Sequence, residues 1–285
     1  MLFGITRPFE TSPSLRYKLL GWLEFIRVHR LITQLFGPQY RRSRKLIEID
    51  LTYSCNLKCS NCNRSCSQAP SREYIPLNQI QDFVETSVKE GIHWKRIRLL
   101  GGEPTLHPYF PDVIKIILDY KENFSPGTKV QVATNGYGPF VNSMLSKLPE
   151  NIEIINTEKT NSTPYFCSFN TAPKDQFIYK FADFKNACWI AEICGMGFTP
   201  NGYYPCAIAG GIDRVLGFNL GKTRLPHAPD DMFDSLNVFC QYCGHFKRLV
   251  DPPLNKPVMS KTWIMAYENY AKKQTKQAKP SNGES

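Results

Sequence analysis

Three closely spaced cysteines follow the first apolar, strand-like segment of the chain. They are Cys55, Cys59 and Cys62, in the pattern C-x3-C-x2-C. Three thiolates on one tight loop can hold three corners of an iron-sulfur cubane and leave the fourth iron open to a small chelating molecule. Cys66 follows in the same loop, so a closed four-thiolate site for zinc or for an electron-transfer cluster is the alternative.

A glycine pair follows the next strand-like segment, which covers residues 96–100. Gly101 and Gly102 stand there directly before Glu103. Glycine lacks a Cβ, so a pair at the end of a buried strand lets the backbone approach a ligand closely. A closed structural site would not need this second element. Together with the cysteine loop it resembles the radical S-adenosylmethionine (radical SAM) superfamily, in which S-adenosylmethionine chelates the open iron.

This resemblance implies the residues of a catalytic site. The ligands of the catalytic 4Fe-4S cluster would be Cys55, Cys59 and Cys62. The residues lining the methionine part of S-adenosylmethionine would be Gly101, Gly102 and Glu103. A reduced cluster would pass one electron to the sulfonium and release a 5′-deoxyadenosyl radical, which abstracts hydrogen from the substrate.

Several other polar residues are weaker candidates. The family often has an aromatic residue before its third cysteine, where this chain has Asn61, so the adenine contact stays unassigned. Asn135 closes a later strand and would contact ribose or substrate, although a turn-forming Asn-Gly pair explains it equally well. Cys66 is expected to be a free thiol, and His107 a structural histidine. Two further candidates for substrate contacts are Ser168 and Asn170.

Strand-like and helix-like segments alternate along the first half of the chain. The predicted strands cover 46–51, 96–100, 129–134 and 152–155, and the predicted helices cover 78–90, 110–120 and 140–148. Strict alternation indicates parallel βα units, with site residues at the carboxyl ends of the strands. The resemblance implies an α/β fold, a partial TIM-like (βα)6 barrel with a small C-terminal cysteine-rich iron-sulfur module. A further strand at 165–169 would continue the barrel.

A second group of cysteines follows in a region rich in glycine and proline. Such a region has little apolar content, so a metal must hold it together. It resembles the SPASM and twitch modules of radical SAM enzymes, and the shorter twitch form with one auxiliary 4Fe-4S cluster fits better. We assign as its ligands Cys194, Cys206, Cys240 and Cys243. The alternative is a zinc site with the same thiolates, while Cys188 is a spare thiol or an alternate ligand and Cys167 is a strand cysteine.

These patterns divide the chain into four expected regions. They are an N-terminal amphipathic helical segment at 1–45, a radical SAM partial barrel at 46–185, the auxiliary module at 186–250, and a C-terminal helix with a basic flexible tail at 251–285. Apolar residues between Ser14 and Phe36 recur at helical spacing. We expect this helix to cap the catalytic domain, and a membrane-surface or partner-docking helix is the alternative.

Composition limits the class of protein. Ten cysteines in a chain without a signal-peptide pattern indicate metal or redox chemistry in a reducing compartment, so we expect a cytoplasmic protein. No run of apolar residues is long enough for a membrane span. The net charge of +10 is compatible with an anionic substrate, but the chain has no recognised nucleic-acid motif, and nucleic acid is not an expected partner.

The resemblance leaves the reaction open between two kinds of oxidoreductase. One is a dehydrogenase of aminocyclitol or sugar hydroxyls, in which the auxiliary cluster accepts an electron. The other is a maturase that crosslinks or epimerises a ribosomally made peptide. About 45 residues precede the first strand, too few for a fused leader-peptide domain, which favours a small molecule. Either enzyme would need a reducing partner such as flavodoxin or ferredoxin. A non-catalytic iron-sulfur or zinc protein is the alternative of another class.

Overall fold

The computed structural model describes residues 19, 22–23, 25–161, 169–246 and 258–278. The strands are β1 (Leu46–Thr52), β2 (Arg96–Gly101), β3 (Lys129–Thr134), β4 (Glu153–Asn156), β5 (Met196–Thr199) and β6 (Gly202–Tyr204). The α-helices are α1 (Arg30–Phe36), α2 (Leu77–Lys89), α3 (Phe110–Asn123), α4 (Pro139–Leu145), α5 (Trp189–Ile193), α6 (Ala209–Leu216), α7 (Phe233–Phe239) and α8 (Lys261–Ala278). The four strands and three helices predicted in the first half are confirmed, with strand ends within one residue and helix ends within three.

The strands form one sheet in the order β4-β3-β2-β1-β5-β6. Strands β1 to β4 are parallel to their neighbours, as the alternation with helices predicts. Strand β5 lies parallel to β1 on its other side, and β6 returns antiparallel to β5. The α/β class is therefore confirmed as a six-stranded, mostly parallel sheet.

The two faces of this sheet have opposite chemistry, because successive side chains of a strand point to opposite sides. One face is apolar and packs beneath helices such as α2 and α3. Its fully buried side chains include Ile47, Ile49, Ile97, Leu99, Val130 and Val132. The other face carries the polar residues of the same strands, among them Glu48, Arg98 and Gln131.

The β5–β6 hairpin joins the region of the second cysteine group to this sheet. Met196 and Phe198 pair with Ile47 and Ile49 of β1 and are buried in the same core. The sequence analysis assigns this hairpin to a separate module, and the structure shows that its first strand extends the main sheet. The strand predicted at 165–169 lies largely outside the described residues, and Phe169, its last residue, is in a turn.

A second hydrophobic core is formed by residues of the β5–β6 hairpin, of α6 and of the C-terminal helix α8. Trp263, Ala266 and Tyr270 of α8 are buried against Ile208 and Ile212. The indole nitrogen of Trp263 donates to the Tyr242 carbonyl at 2.7 Å, which ties α8 to the segment of the last cysteine pair. Among the described helices, none is long and apolar enough to cross a membrane.

Candidate functional site

The cysteine loop and the glycine pair lie together where β1 and β2 end. The backbone nitrogen of Gly102 donates to the Thr52 carbonyl at 2.8 Å, and that of Glu103 donates to the Ser54 carbonyl at 2.9 Å. A Cβ on Gly102 would overlap the Ser54 carbonyl. The sequence analysis attributes the pair to close approach of a ligand. In the structure, the atoms that require glycine here are those of the chain entering the cysteine loop.

The three cysteines of the loop are close enough to repel one another electrostatically. Burial raises the pKa of Cys55 to about 11, and burial with the charges of Cys62 and Cys55 raises that of Cys59 to about 12. The pKa of Cys62 is lowered to about 6, chiefly because the Cys66 thiol donates a hydrogen bond to it. Its sulfur also accepts from the backbone of Arg64 and Cys66. A buried group of unpaired thiols, one already favouring the thiolate, fits the donor set of a cluster.

Cys66 lies beside Cys62 and is itself buried. Its thiol is 3.9 Å from the Arg64 carbonyl. This fourth thiol is hydrogen-bonded to Cys62 and is close enough to Cys55 to interact with its charge, so a closed cluster that includes Cys66 stays the alternative. Removing Cys66 is therefore the variant that separates an open cluster from a closed one.

Glu103 joins the ends of three strands. Its carboxylate is fully buried and accepts hydrogen bonds from the Thr134 hydroxyl at 2.9 Å and from the Asn135 backbone at 2.9 Å. The Thr105 hydroxyl donates to it at 2.9 Å. Burial raises the pKa of Glu103 above its usual value despite these bonds. The donors of these hydrogen bonds therefore lie at the end of β3 and in the turn after β2.

Asn135 connects the end of β3 to the cysteine loop. Its side-chain nitrogen donates to the side-chain oxygen Oδ1 of Asn56 at 2.8 Å and lies 4.0 Å from the Cys55 sulfur. Its side-chain oxygen accepts from the Tyr137 backbone at 2.7 Å, which is the turn-forming contact that the Asn-Gly pair predicts. The turn interpretation of Asn135 is therefore confirmed, and its side-chain nitrogen braces the loop beside a candidate ligand.

A row of charged and polar residues crosses the polar face of the sheet in register. Arg98 donates to Glu48 at 2.8 Å and to Gln131 at 2.9 Å, and Gln131 donates to Glu153 at 2.8 Å. Each of these residues pairs with the next across β1 to β4. Polar residues that alternate with apolar ones are visible in the sequence of these strands, but the register that joins them into this row is not.

Asp50 lies on the same face of β1 as Glu48, two residues closer to the cysteine loop. Its Oδ1 accepts from the Arg64 side chain at 3.3 Å, while its buried Oδ2 has no hydrogen-bond partner among the described residues. Burial is the main cause that raises the pKa of Asp50 to about 6, against the opposing charge of Arg64. The charge of Cys62 also acts on this carboxyl. Asp50 is thus a buried acid with spare hydrogen-bonding capacity beside the candidate cluster site.

Arg64 follows the third cysteine and turns back onto the polar face. It donates to Glu48 at 2.9 Å as well as to Asp50. Its charge also acts on Cys62 in the first cysteine group and on Cys206 in the second. Arg64 therefore stands between the two groups of thiols.

Four cysteines of the second group, two buried and two half-buried, line one small cavity. They are Cys188, Cys206, Cys240 and Cys243. The rest of the wall is mainly apolar and includes Ile190, Leu236 and Phe239. The charges of Cys188, Cys206 and Cys243 all act on Cys240. Nothing but thiols and apolar groups surrounds most of this cavity, which suits a site for a soft metal centre.

Backbone amides point at three of these four sulfurs. Cys188 precedes α5 and accepts from Ile190 and Ala191, and Cys206 accepts from Ile208 and Ala209 at the start of α6. Cys243 accepts from His245 and Phe246. Burial raises the pKa of all four thiols, and the amide hydrogen bonds to three of the sulfurs oppose this rise, because they stabilise the thiolate. Such bonds also tune the potential of iron-sulfur clusters. The sulfur of Cys62 in the first group has the same arrangement.

Cys194 is placed differently from the other three cysteines assigned to the auxiliary site. It ends α5 and does not line the cavity. Its thiol donates to the Glu48 carboxylate, and the neighbouring charges are those of Arg98 and Arg64. The structure thus brings Cys206, Cys240 and Cys243 together with Cys188 and directs Cys194 towards the polar face. The spacing of the cysteines does not signal this difference, because it depends on the helix that follows Cys188 and ends at Cys194.

The remaining candidate residues lie apart from the two cysteine groups or outside the described residues. His107 accepts from Tyr109 and bonds to the Ile75 carbonyl at 2.8 Å, so both ring nitrogens are engaged. Asn170 is fully buried, and within the part of the chain that the structure describes neither polar atom of its side-chain amide has a hydrogen-bond partner. Cys167 and Ser168 lie outside the described residues. Within the described ranges, no three His, Cys, Asp or Glu side chains converge closely enough to hold a single metal ion.

Comparison with known proteins identifies the segment that carries the first site. Residues 49–158 match the family model of the Radical SAM superfamily, so this segment is a radical SAM domain. It contains the cysteine loop, the glycine pair and Asn135.

Two curated relatives align to parts of the chain. A GTP 3′,8-cyclase of Aliarcobacter butzleri is 26% identical over 137 residues, which cover 47% of this chain and 39% of the relative. Molybdenum cofactor biosynthesis protein 1 of Mus musculus is 31% identical over 115 residues, which cover 38% of this chain and 17% of the relative. The chain therefore spans less than two fifths of the length of either protein.

A solved structure is also similar to this chain. It is described as the crystal structure of BtrN in complex with AdoMet and 2-DOIA. The similarity has a TM-score of 0.44 at 12% identity and covers 78% of this chain and 98% of the other.

Proposed function

Because residues 49–158 are a radical SAM domain, we propose that this chain is a radical SAM oxidoreductase with two 4Fe-4S clusters. Its substrate is a small polar molecule, and its reaction is a dehydrogenation or a related oxidation. We do not assign the activity of the cyclase relatives to this chain, because their similarity is confined to less than half of it.

The observation that carries this proposal is the arrangement at the ends of β1 and β2. Three mutually repelling thiols stand on one loop, and the backbone of the glycine pair is hydrogen-bonded to the residues that enter it. Cys55, Cys59 and Cys62 would hold the first cluster. This cluster would leave one iron open for S-adenosylmethionine. On reduction, the bound S-adenosylmethionine would supply a 5′-deoxyadenosyl radical that removes hydrogen from substrate. The electron would come from a reducing partner such as flavodoxin or ferredoxin.

The protein's own residues fix the loop against the sheet. Asn135 holds Asn56, the residue after Cys55, while Glu103 keeps the end of β3 beside the turn after β2. These contacts limit the movement of the sulfurs, and such rigidity positions reacting groups without further ordering during the reaction. Gly101, Gly102, Glu103 and Asn135 remain the residues that we propose to line the S-adenosylmethionine site.

We assign the second cluster to Cys188, Cys206, Cys240 and Cys243. Cys188 takes the place that the sequence analysis gives to Cys194, because it lines the cavity and accepts two backbone amides. Four thiolates would close this cluster to substrate and leave it a role in electron transfer. The regions at 46–185 and 186–250 would then be the catalytic and auxiliary parts of one enzyme.

Asp50 is the residue that we propose to contact the substrate. Its unpartnered, buried Oδ2 lies on the polar face beside Cys62 and can accept a hydrogen bond from a substrate hydroxyl. A pKa near neutrality suits a group that takes up the proton released when a hydroxyl carbon is oxidised. This chemistry favours a small polyhydroxylated substrate over a peptide, which stays the second candidate.

Reductive cleavage of S-adenosylmethionine tests the proposal. The anaerobically reconstituted protein is incubated with dithionite and S-adenosylmethionine, and 5′-deoxyadenosine is quantified. We expect cleavage by the unaltered protein and by Cys66→Ala, and none above background by Cys59→Ala. A non-catalytic iron-sulfur or zinc protein would give no cleavage in any of the three, which would refute the proposal.

A further inference from the structure

An apolar surface at the N-terminal side of the molecule faces solvent. The first part of this surface lies on helical residues and comprises Leu19, Trp22, Leu23 and Ile26, all more than half exposed. Their spacing of three and four residues puts them on one side of a helix. From the sequence, we expect this amphipathic segment to cap the catalytic domain. In the structure, these four apolar side chains are exposed.

The segment is nevertheless held firmly by its other side. Phe25 packs against Tyr179 with ring centroids 5.8 Å apart, and Val28 is buried in the core that includes Tyr179 and Phe184. The Asp183 backbone donates to the Val28 carbonyl at 2.7 Å. The outward direction of the apolar stripe is therefore set by contacts with the body of the protein.

Neighbouring exposed residues enlarge the stripe into a broad face. They are Leu31, Leu35 and Phe36 of α1 and Phe177, Ile178 and Phe181 of the adjoining turn. The two parts are joined, because the Arg30 backbone donates to the Phe181 carbonyl at 2.9 Å. Phe177 is 82% exposed and Leu35 is 76% exposed. An apolar face of ten large side chains exceeds what a soluble surface ordinarily leaves uncovered.

Basic side chains lie around this face, among them the exposed Arg30 and Lys180. Between residues 16 and 45 the sequence has eight lysines and arginines, of which Arg42 is buried, against one acidic residue, while Asp175 and Asp183 flank the aromatic turn. The Lys180 ammonium lies 5.6 Å from the Phe177 ring and 5.7 Å from the Phe181 ring, and the Arg27 guanidinium lies 5.9 Å from the Phe36 ring. Basic side chains interleaved with exposed Trp, Phe and Leu are typical of helices that lie in the interface of an anionic membrane.

We propose that this apolar face binds the surface of an anionic lipid membrane. Trp22, Leu23, Ile26, Leu35 and Phe177 would enter the boundary between head groups and acyl chains. Arg30, Lys180 and other basic side chains would contact the lipid phosphates. A second copy of the chain explains the exposed apolar residues but not the excess of positive charge, because two such faces would repel each other. The membrane is therefore the occupant that the observations favour.

Vesicle sedimentation with the full reconstituted chain tests this proposal. We expect binding to vesicles of phosphatidylcholine with phosphatidylglycerol, and roughly tenfold weaker binding to phosphatidylcholine alone, because the charge contribution is lost. Leu23→Glu with Ile26→Glu should weaken binding to the anionic vesicles by roughly tenfold or more. Met265→Glu is the matched control, since Met265 is an exposed apolar residue of α8 that is not among the ten residues of this face. It should bind as the unaltered chain does.

Three results would overturn the proposal. The first is absence of binding to anionic vesicles by the unaltered chain. The second is an equal loss of binding in the control variant. The third is a dimer in light scattering that the Leu23→Glu, Ile26→Glu variant converts to a monomer, which would assign the face to a second copy. Cleavage of S-adenosylmethionine in vesicle-free buffer is measured on every variant and should be unchanged, which separates this proposal from the proposed function.

Discussion

At the scale of single residues, the direction in which backbone amides point distinguishes the cysteines. Cys62, Cys188, Cys206 and Cys243 each accept amide hydrogen bonds from residues that follow them. Cys194 has a carboxylate as its partner instead. Sequence spacing alone cannot show this difference, because it depends on how the chain turns after each cysteine.

The variants Cys188→Ala and Cys194→Ala test this distinction. The reconstituted protein should hold about eight iron atoms per chain, in two 4Fe-4S clusters. We expect Cys188→Ala to hold about four and Cys194→Ala to retain about eight, as measured by iron and acid-labile sulfide analysis. The reverse pattern would restore Cys194 as the ligand.

Asp50 gives a prediction for the dependence of stability on pH. Its pKa of about 6 in the folded protein lies above the usual value of 3.8, so the folded state binds this proton more tightly than the unfolded state. The resulting stabilisation is present at low pH and is lost as the pH rises through about 6. It amounts to at most about 3 kcal/mol.

The measurement compares the unaltered protein with Asp50→Asn in urea unfolding at several pH values. The difference between their free energies of unfolding should change between about pH 4 and pH 6 and be constant above pH 7. The unaltered protein should lose stability relative to Asp50→Asn as the pH rises. A difference that is independent of pH would show that Asp50 has no raised pKa.

At the scale of elements, the sequence predicts most of the first half of the fold. Alternation of apolar and polar residues located β1 to β4 and the three helices between them, because these segments bury one face each. The pairing of β5 with β1 was not predictable, since it joins residues separated by about 150 positions. The row from Glu48 to Glu153 was missed for the same reason, because it depends on the register between strands.

The close approach of β2 to the cysteine loop gives a prediction at this scale. A Cβ on Gly102 would overlap the Ser54 carbonyl, so Gly102→Ala must displace the chain that enters the loop. We expect a loss of about 1–3 kcal/mol in stability and at least a tenfold slower cleavage of S-adenosylmethionine. The measurements are thermal unfolding and the 5′-deoxyadenosine assay.

Gly127→Ala is the matched control for this substitution. A Cβ at Gly127 meets no atom within 4 Å, and the residue is exposed. This variant should change stability by about 0.5 kcal/mol or less and leave cleavage unaltered. Equal effects of the two alanines would show that the glycine pair has no special role.

At the scale of the whole molecule, Arg64 lies between the two cysteine groups. It is buried, pairs with Glu48 and Asp50, and acts electrostatically on Cys62 and Cys206. The backbone around it is fixed from the other side, because Arg214 of α6 donates to the Arg64 carbonyl at 3.2 Å and to the Ala69 carbonyl at 2.8 Å. The buried positive charge of Arg64 thus acts electrostatically on both candidate cluster sites.

Replacement of Arg64 should therefore change both reduction potentials. Arg64→Gln removes a positive charge near each cluster and should lower both midpoint potentials by tens of millivolts, from Coulomb's law at an effective dielectric constant of about 20. Arg64→Lys keeps the charge and should shift them much less. Anaerobic redox titration followed by electron paramagnetic resonance (EPR) measures the two potentials. A shift confined to one cluster would contradict the shared position of Arg64.

The central claim is that the cluster at Cys55, Cys59 and Cys62 has one iron open to S-adenosylmethionine. The most direct measurement is the EPR spectrum of reduced Cys240→Ala, a variant expected to hold the first cluster alone, with and without S-adenosylmethionine. We predict that the added molecule shifts the g values of the cluster, because it becomes a ligand of the open iron. Identical spectra in the two samples would mean that protein thiolates occupy all four irons, and would contradict the account.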